Sequence, residues 1–401
     1  MKTEKKRGSP PERTGAECLI AGIEQAGVSV VFGYPGGMII DVFNLLPASG
    51  MHFVLPRHEQ GAVHMADGYA RATGKVGCCI VTSGPGATNT VTGLATAYMD
   101  GIPLVCISGQ VPTDMIGSDA FQEADITGIT RPITKHNYLV RNVDELPRIV
   151  AEAFYIAATG KPGPVLIDLP KDVQRALTRA PTVSPSDISI RSYQPDCPVD
   201  EEAVAQLAKA IQTARRPLFY AGGGVIAAGA APVLAEIARL SSIPVTTTLM
   251  GLGAFPEDDP LSLQFLGMHG SVAANRAVAH CDLLIAVGAR FDDRVTGKIS
   301  EFAPVAKIAH IDIDRSTIGK SLAIDLPIHG DVRAVLVSLR KRLHPKRRKE
   351  WLQEIAEWKK AHSFTYEHPE GTLPPQYVIE QIDKVSKGKA IIATDVGQHQ
   401  M

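Results

Sequence analysis

Aromatic residues make up only 5% of this 401-residue chain. It contains no run of about 18 apolar residues, the length a membrane-spanning helix requires. Neither sign of charge is in excess: 41 Lys and Arg stand against 42 Asp and Glu, a net charge of −1. A chain without a basic footprint is not expected to take nucleic acid as a partner. The amino terminus, MKTEKKRGSPPERTG, has no apolar segment behind it, so no secretory signal is expected and the cytoplasm is the expected location. Cysteine is scarce too. Cys18, Cys78, Cys79, Cys106, Cys197 and Cys281 form no CxxC pair and mostly sit inside apolar runs, which predicts buried thiols in a reducing compartment rather than a disulfide framework. His64, His136, His269 and His310 show neither HxH nor HxxxH spacing, so no metal ligand is assigned within the chain. The absence of a GxSxG elbow argues against nucleophilic hydrolysis.

What the chain does have is glycine (36 residues), proline (28) and short apolar runs that these two punctuate. VSVVFGYPG, MHFVLP, KVGCCIVTSGPG, IPLVCISGQ and GPVLIDLP read as buried parallel strands separated by stretches of helix length. The same rhythm returns in RPLFYAGGG, IPVTTTL, DLLIAVGAR, KIAHIDID and LPIHG. The expected fold class is α/β, with two doubly wound, mostly parallel-sheet domains over residues 14–173 and 201–340. Residues 174–200, rich in Pro, Ser and Asp, are expected to be a linker. Residues 341–373, where Glu350, Glu354 and Glu357 interleave with basic residues, predict a charged helical linker with a solvated face. In residues 374–401 a helix, a turn and the strand-like IIATDVG predict the start of a third α/β domain, with the chain stopping before the rest of it.

Glu59 lies just after a short apolar strand, near a helix start where a carboxylate meets the positive end of the helix dipole. That is a structural reading. A carboxylate among the small and apolar residues Ala62, Val63, Ala66, Tyr69 and Ala70 can also exchange a proton with a cofactor, and position alone leaves both open. The turns GYPGG and TSGPGATN follow strands, where parallel sheets take ligands, but TSGPGATN lacks both GxGxxG and the GxxxxGK[ST] phosphate loop. In the second block, AGGG follows PLFY, Arg290, Asp292, Asp293 and Arg294 follow a strand, and Asp312 and Asp314 end HIDID. Each signal is weak alone. Together they place ligand contacts at strand carboxyl ends in two separate domains.

The motifs FGYPGG, RHEQGAVHMADGYARATGKVG, TSGPGATN, GQVPTDMIGSDAFQEADITGITRPITKHN and GPVLIDLPKDVQ together resemble the catalytic large subunit of acetolactate synthase, a thiamine diphosphate enzyme. The stretch from AGGG through MHGSVAANRAVAHCDLLIAVGARFDDR to HIDID is similar to that family's central FAD-binding domain. The resemblance covers about Thr14 to Met401. It implies that Glu59 shares a proton with the cofactor's aminopyrimidine ring, that pyruvate is decarboxylated, and that the remainder is joined to pyruvate or 2-ketobutyrate. This would be the first common step of branched-chain amino-acid biosynthesis. Tyr34, Pro85, Asn89 and Gln122 would line the aminopyrimidine side, and Val396, Gly397, Gln398 and His399 would begin the diphosphate side. Phe121 and Lys171 would lie along the substrate channel. For FAD, the matching positions are Lys161, Gly222, Gly223, Gly224, Thr247, Met268, His269, Gly288, Arg290, Asp292, Arg294, Asp312 and Asp331. Lys161 departs from the arginine of the family pattern and loses its planar fork.

The resemblance further implies a homodimer or tetramer and a small regulatory subunit. The family's diphosphate domain carries GDG followed by a metal-binding Asn, which this sequence does not contain. The Mg²⁺ ligands are therefore expected to lie beyond its end, and the chain is expected to be C-terminally truncated and inactive alone. The alternatives are another thiamine diphosphate-dependent 2-keto acid decarboxylase or oxidase, or a noncatalytic FAD-binding fragment.

Overall fold

The computed structural model describes residues 11–395 and residue 397. The chain divides between Cys197 and Pro198 into two compact units, each with its own parallel sheet. In the first unit the strands are β1 (Arg13–Thr14), β2 (Val30–Gly33), β3 (His52–Val54), β4 (Gly77–Val81), β5 (Leu104–Gln110), β6 (His136–Leu139), β7 (Pro164–Pro170) and β8 (Leu177–Thr178). Six of them form a parallel sheet in the order β3-β2-β4-β5-β7-β6, and β1 pairs antiparallel with β8. β4, β5 and β7 are buried along their whole length, as their unbroken apolar runs require when helices cover both faces.

The second unit repeats the scheme with β9 (Pro217–Ala221), β10 (Val245–Thr247), β11 (Ser262–Phe265), β12 (Leu283–Val287), β13 (Lys307–Asp312) and β14 (Leu326–His329). Their order is β11-β10-β9-β12-β13-β14, again all parallel. The order reverses between β2 and β4 in one sheet and between β9 and β12 in the other. At such a reversal the flanking connections run to opposite faces and leave a crevice at the carboxyl ends.

Besides the two-residue strands β1 and β8, two strands lack a counterpart in the sequence reading, β6 and β11. Both are edge strands with a single neighbour; all of HNYL and the last two residues of SLQF are at least partly exposed, and neither shows a continuous apolar run. Cys18, Cys78, Cys79, Cys106 and Cys281 are buried and unpaired, while Cys197 is partly exposed. Burial pushes the Cys281 thiol up to about 12, so it is an inert core residue.

The stretch 341–373 is helical over Lys349–Ala361 with Glu350 and Glu357 exposed, as its charges suggested, but part of it is buried in the second unit. Arg348 is buried and donates through Nη1 to Ser241 O, through Nη2 to Ile211 O and through Nε to Ala214 O at 3.3 Å. Lys346 Nζ adds bonds to Gln212 O and to Ala214 O at 3.2 Å. These carbonyls end the helices Glu201–Thr213 and Ala231–Ser241, where positive charge is favoured. The helix Lys349–Ala361 then buries Trp351 and Ile355 against the second unit, with Trp351 Nε1 donating to Pro217 O at 3.1 Å. The expected IIATDVG strand is also corrected. Residues 390–395 form no ladder, and Ile391 is fully exposed, because no described strand is there to pair with it. The helix Pro375–Ser386 before it forms as expected.

Because Trp351 fills the second unit's core, Trp351→Ala is expected to cost that unit about 3–5 kcal/mol. Urea unfolding should show an earlier transition for that unit; an unmoved transition would remove this helix from the core.

Candidate functional site

At the carboxyl edge of the first sheet, β2 and β4 bring their loops into backbone contact. A methyl on Gly33 would lie 2.3 Å from Ile80 O, so only glycine lets the chain leave β2 here. Tyr34 N donates to Ile80 O at 3.1 Å, and the Tyr34 ring is partly exposed. After β4 the chain turns through Gly84, whose φ is +55° and whose added methyl would meet Gln122 O at 2.4 Å. Pro85 opens the short helix Pro85–Thr88. Ser83 Oγ is buried in this turn without a hydrogen-bond partner.

Glu59 is the first residue of the helix Glu59–Thr73 and is half buried. Its Oε2 accepts from Asn89 Nδ2 at 2.9 Å, and its Oε1 lies 3.3 Å from where a methyl on Gly86 would stand. Glu59, Pro85, Asn89 and Gln122 are thus gathered around one turn. Gln122 holds a φ of +58°, uncommon for a residue with a side chain, and Phe121 beside it is 81% exposed.

The residues that hold these loops in place cluster at the end of β7; of them sequence reasoning named only Lys171, as a channel residue, and missed Gln174, Asp172 and Asp168. Lys171 Nζ donates to Gly37 O at 2.9 Å and pairs with Asp41 at 3.0 Å, pinning the GYPGG turn. Gln174 Nε2 donates to Met38 O at 2.7 Å. Asp172 accepts from Thr113 N at 3.0 Å and from Thr113 Oγ1 at 2.5 Å, tying down the loop after β5. Asp168, 2% exposed, accepts from Ser108 Oγ at 2.7 Å and Gln110 Nε2 at 2.9 Å. Burial pushes its carboxyl from 3.8 up to about 7 against the pull of those two bonds. The available signal was DLPKDVQ, residues 168–174, four polar side chains within seven residues at a strand end.

The second unit's crevice is built on AGGG. A methyl on Gly222 would stand 2.2 Å from Gly288 O, and Gly224 N donates to that same oxygen at 3.0 Å. Gly223 has more room, its nearest neighbour being Met250 O at 3.4 Å. The hydroxyls of Thr247 and Thr248, at the end of β10, are buried without partners. Met268 and His269 follow β11 and are exposed. Arg290 pairs with Asp292 at 3.2 Å, and Asp292 Oδ1 accepts from Arg294 N at 3.0 Å. Asp312 Oδ1 accepts from Asp314 N at 2.8 Å. Asp331 caps the helix Val332–Arg342 through Ala334 N at 2.8 Å. All of these follow strand carboxyl ends of one sheet. Lys161 stands apart: it precedes β7 in the first unit, at the sheet edge opposite Glu59. Val396, Gln398 and His399 lie outside the described residues, and Gly397 alone of that group is within them. Among the described residues no three His, Cys, Asp or Glu side chains gather as a metal site, and no helix is long and apolar enough to cross a membrane.

Comparison with known proteins matches residues 13–129 to the N-terminal TPP binding domain of thiamine pyrophosphate enzymes and residues 204–339 to their central domain. The acetolactate synthase large subunit of Buchnera aphidicola (from Schizaphis graminum) is 45% identical over 395 residues, which cover 97% of this chain and 69% of that protein. That of Haemophilus influenzae is 44% identical with the same coverage. The large subunit of acetolactate synthase isozyme 3 of Escherichia coli is 45% identical over 396 residues, again 97% and 69%. The chain belongs to the family of acetolactate synthase large subunits.

Within this acetolactate synthase family chain, the thiamine pyrophosphate match spans Glu59, Pro85, Asn89 and Gln122, whereas the β7 cluster that pins their loops falls between the two matched regions. Its buried carboxyl has a readable consequence. The folded state keeps a proton on Asp168 that the unfolded chain releases, so its contribution to stability falls as pH rises from about 4 to about 7 and is level above. Asp168→Asn has no such proton. Unfolding free energies measured from pH 4.5 to 8 should show the wild type losing stability relative to this variant as pH rises; parallel curves would mean Asp168 does not titrate there.

Proposed function

We propose that this chain acts as the large subunit of an acetolactate synthase. The reaction is decarboxylation of pyruvate and carboligation to a second 2-keto acid, pyruvate or 2-ketobutyrate, at the start of branched-chain amino-acid biosynthesis. The observation that carries this reading is Glu59: a half-buried carboxylate at a helix start, on the crevice where the strand order reverses, in a chain of this family. Bound thiamine diphosphate supplies the electron sink. Glu59 is the group that holds and returns a proton. Asn89 engages one carboxylate oxygen, Oε2, and leaves Oε1 beside Gly86 for that exchange. Tyr34, Pro85 and Gln122 shape the surrounding wall. Phe121 meets incoming substrate, and Lys171, already bound to Asp41 and Gly37 O, lines the channel with its charge compensated.

FAD fits the second unit's crevice as a structural cofactor. The unpartnered Thr247 and Thr248 hydroxyls want a polar ligand, and Gly223 leaves backbone open to one. Gly222, Gly224, Gly288, Met268, His269, Arg290, Asp292, Arg294, Asp312 and Asp331 complete the set, and Lys161 joins it on its motif alone. Residues 14–173 form the pyrimidine-binding domain, residues 201–340 the FAD domain, and residues 374–401 open the diphosphate-binding domain. Mg²⁺ would be held by the part of the family sequence that this chain does not match. A small regulatory subunit, a homodimer or tetramer and a cytoplasmic location complete the reading.

Incubated with pyruvate, thiamine diphosphate, Mg²⁺ and FAD, the 401-residue chain alone is expected to give no turnover. Fused to the matching remainder of a relative, it should make acetolactate. Glu59→Gln should then lower the rate by about 10²–10⁴-fold, the usual worth of a proton-transferring group. Acetaldehyde as the main product, or an unaffected Glu59→Gln, would overturn the reading.

A further inference from the structure

The proposed chemistry makes no use of Asp168, yet its carboxylate is the most buried acid at this sheet edge. Its partner Gln110 is 4% exposed and has every polar atom engaged. One Nε2 hydrogen goes to Asp168 Oδ2 at 2.9 Å and the other to Ala124 O at 2.9 Å, while Oε1 accepts from Val111 N at 2.9 Å. The side chain therefore joins the middle of the sheet to the backbone of the 117–124 loop. The loop's other bonds in this stretch are largely internal: the Glu123 carboxylate accepts from Gly117 N and from Ala120 N at 3.0 Å. It also carries two residues with side chains at positive φ, Asp119 at 57° and Gln122 at 58°, a conformation that persists only where surrounding contacts hold it.

We infer that Asp168 and Gln110 form a clasp that positions Phe121 and Gln122 against the glycine turn at Gly84, making Asp168 a positioning residue of the site. Its importance for catalysis rests on the proposed roles of Phe121 and Gln122. The chemistry of the clasp explains the residue types. An amide nitrogen with two hydrogens needs two acceptors, one on the loop and one on the sheet. A carboxylate supplies the second while also accepting from Ser108. An asparagine would serve equally, since the Ser108 hydroxyl can turn to accept from its amide and leave the oxygen for Gln110. A leucine would leave Gln110 with a buried, unpaired hydrogen.

The test is hydrogen exchange read by mass spectrometry on the 401-residue chain without cofactor. The amides of Gly117, Ser118, Ala120 and Glu123 are the reporters, since each is hydrogen-bonded in the loop. Asp168→Leu and Gln110→Met should speed their exchange about tenfold or more, the scale set by leaving one buried hydrogen-bonding group unpaired, with β4 amides unchanged. Asp168→Asn should restore the wild-type rate. Should Asp168→Leu fail to fold, the contrast of Gln110→Met with Asp168→Asn decides. Unchanged loop exchange in the apolar variants, an Asp168→Asn as fast as they are, or a rise shared equally by β4 would each overturn the clasp. Because no turnover is read, an unmoved loop would leave the acetolactate reading intact. A failed carboligation would likewise leave the clasp standing.

Discussion

Where the strand order reverses in each sheet, two segments of chain must pass within backbone contact of one another, and a single added methyl would keep them apart. Gly33 against Ile80 O and Gly222 against Gly288 O are the two instances. Both lie where side chains are excluded, so neither loop can be covered by its own neighbours. A few hydroxyls (Ser83, Thr247, Thr248) are left buried without partners at these strand ends. Buried polar groups left this way are costly unless a ligand or water completes them. The same close approach that shapes each sheet therefore leaves a crevice at its carboxyl edge.

A second requirement follows in the first unit. Loops that leave the crevice carry little apolar surface of their own, so they are held by hydrogen bonds and ion pairs anchored on β7. Lys171 and Gln174 take the GYPGG turn, Asp172 takes the loop after β5, and Gln110 takes the loop that ends at Ala124. A buried network of this kind is rigid when every member is satisfied and weak when one is missing. The upward push on the Asp168 carboxyl is a by-product of placing the anchor inside the sheet rather than at its surface.

Much of the fold was legible in the residues. Continuous Val, Ile, Leu and Cys runs marked the fully buried strands, and glycine turns marked the edges where the chain changes direction. The edge strands β6 and β11 were not legible, because a strand with one neighbour keeps polar residues and loses the unbroken apolar run. The charge-rich stretch around Arg348 misled for a related reason. Composition records that a residue is charged, not that three carbonyls at helix ends are waiting to receive it. In the candidate site, Glu59 and the glycine turns stood out by type and place, whereas Gln110 and Asp168 looked like ordinary polar residues in a strand.

By itself the sequence determined the α/β class, the two strand-and-helix blocks and the family, because these depend on local periodicity and on long motifs that survive without knowledge of contacts. The tertiary structure alone decided which loops meet at each crevice, which half of Glu59 is engaged by Asn89, and which buried side chains hold the loops still. These are separations of 14 to 136 residues along the chain. Hydrogen-bond geometry over such distances is set by how the strands are ordered in the sheet, and strand order is written in no single segment.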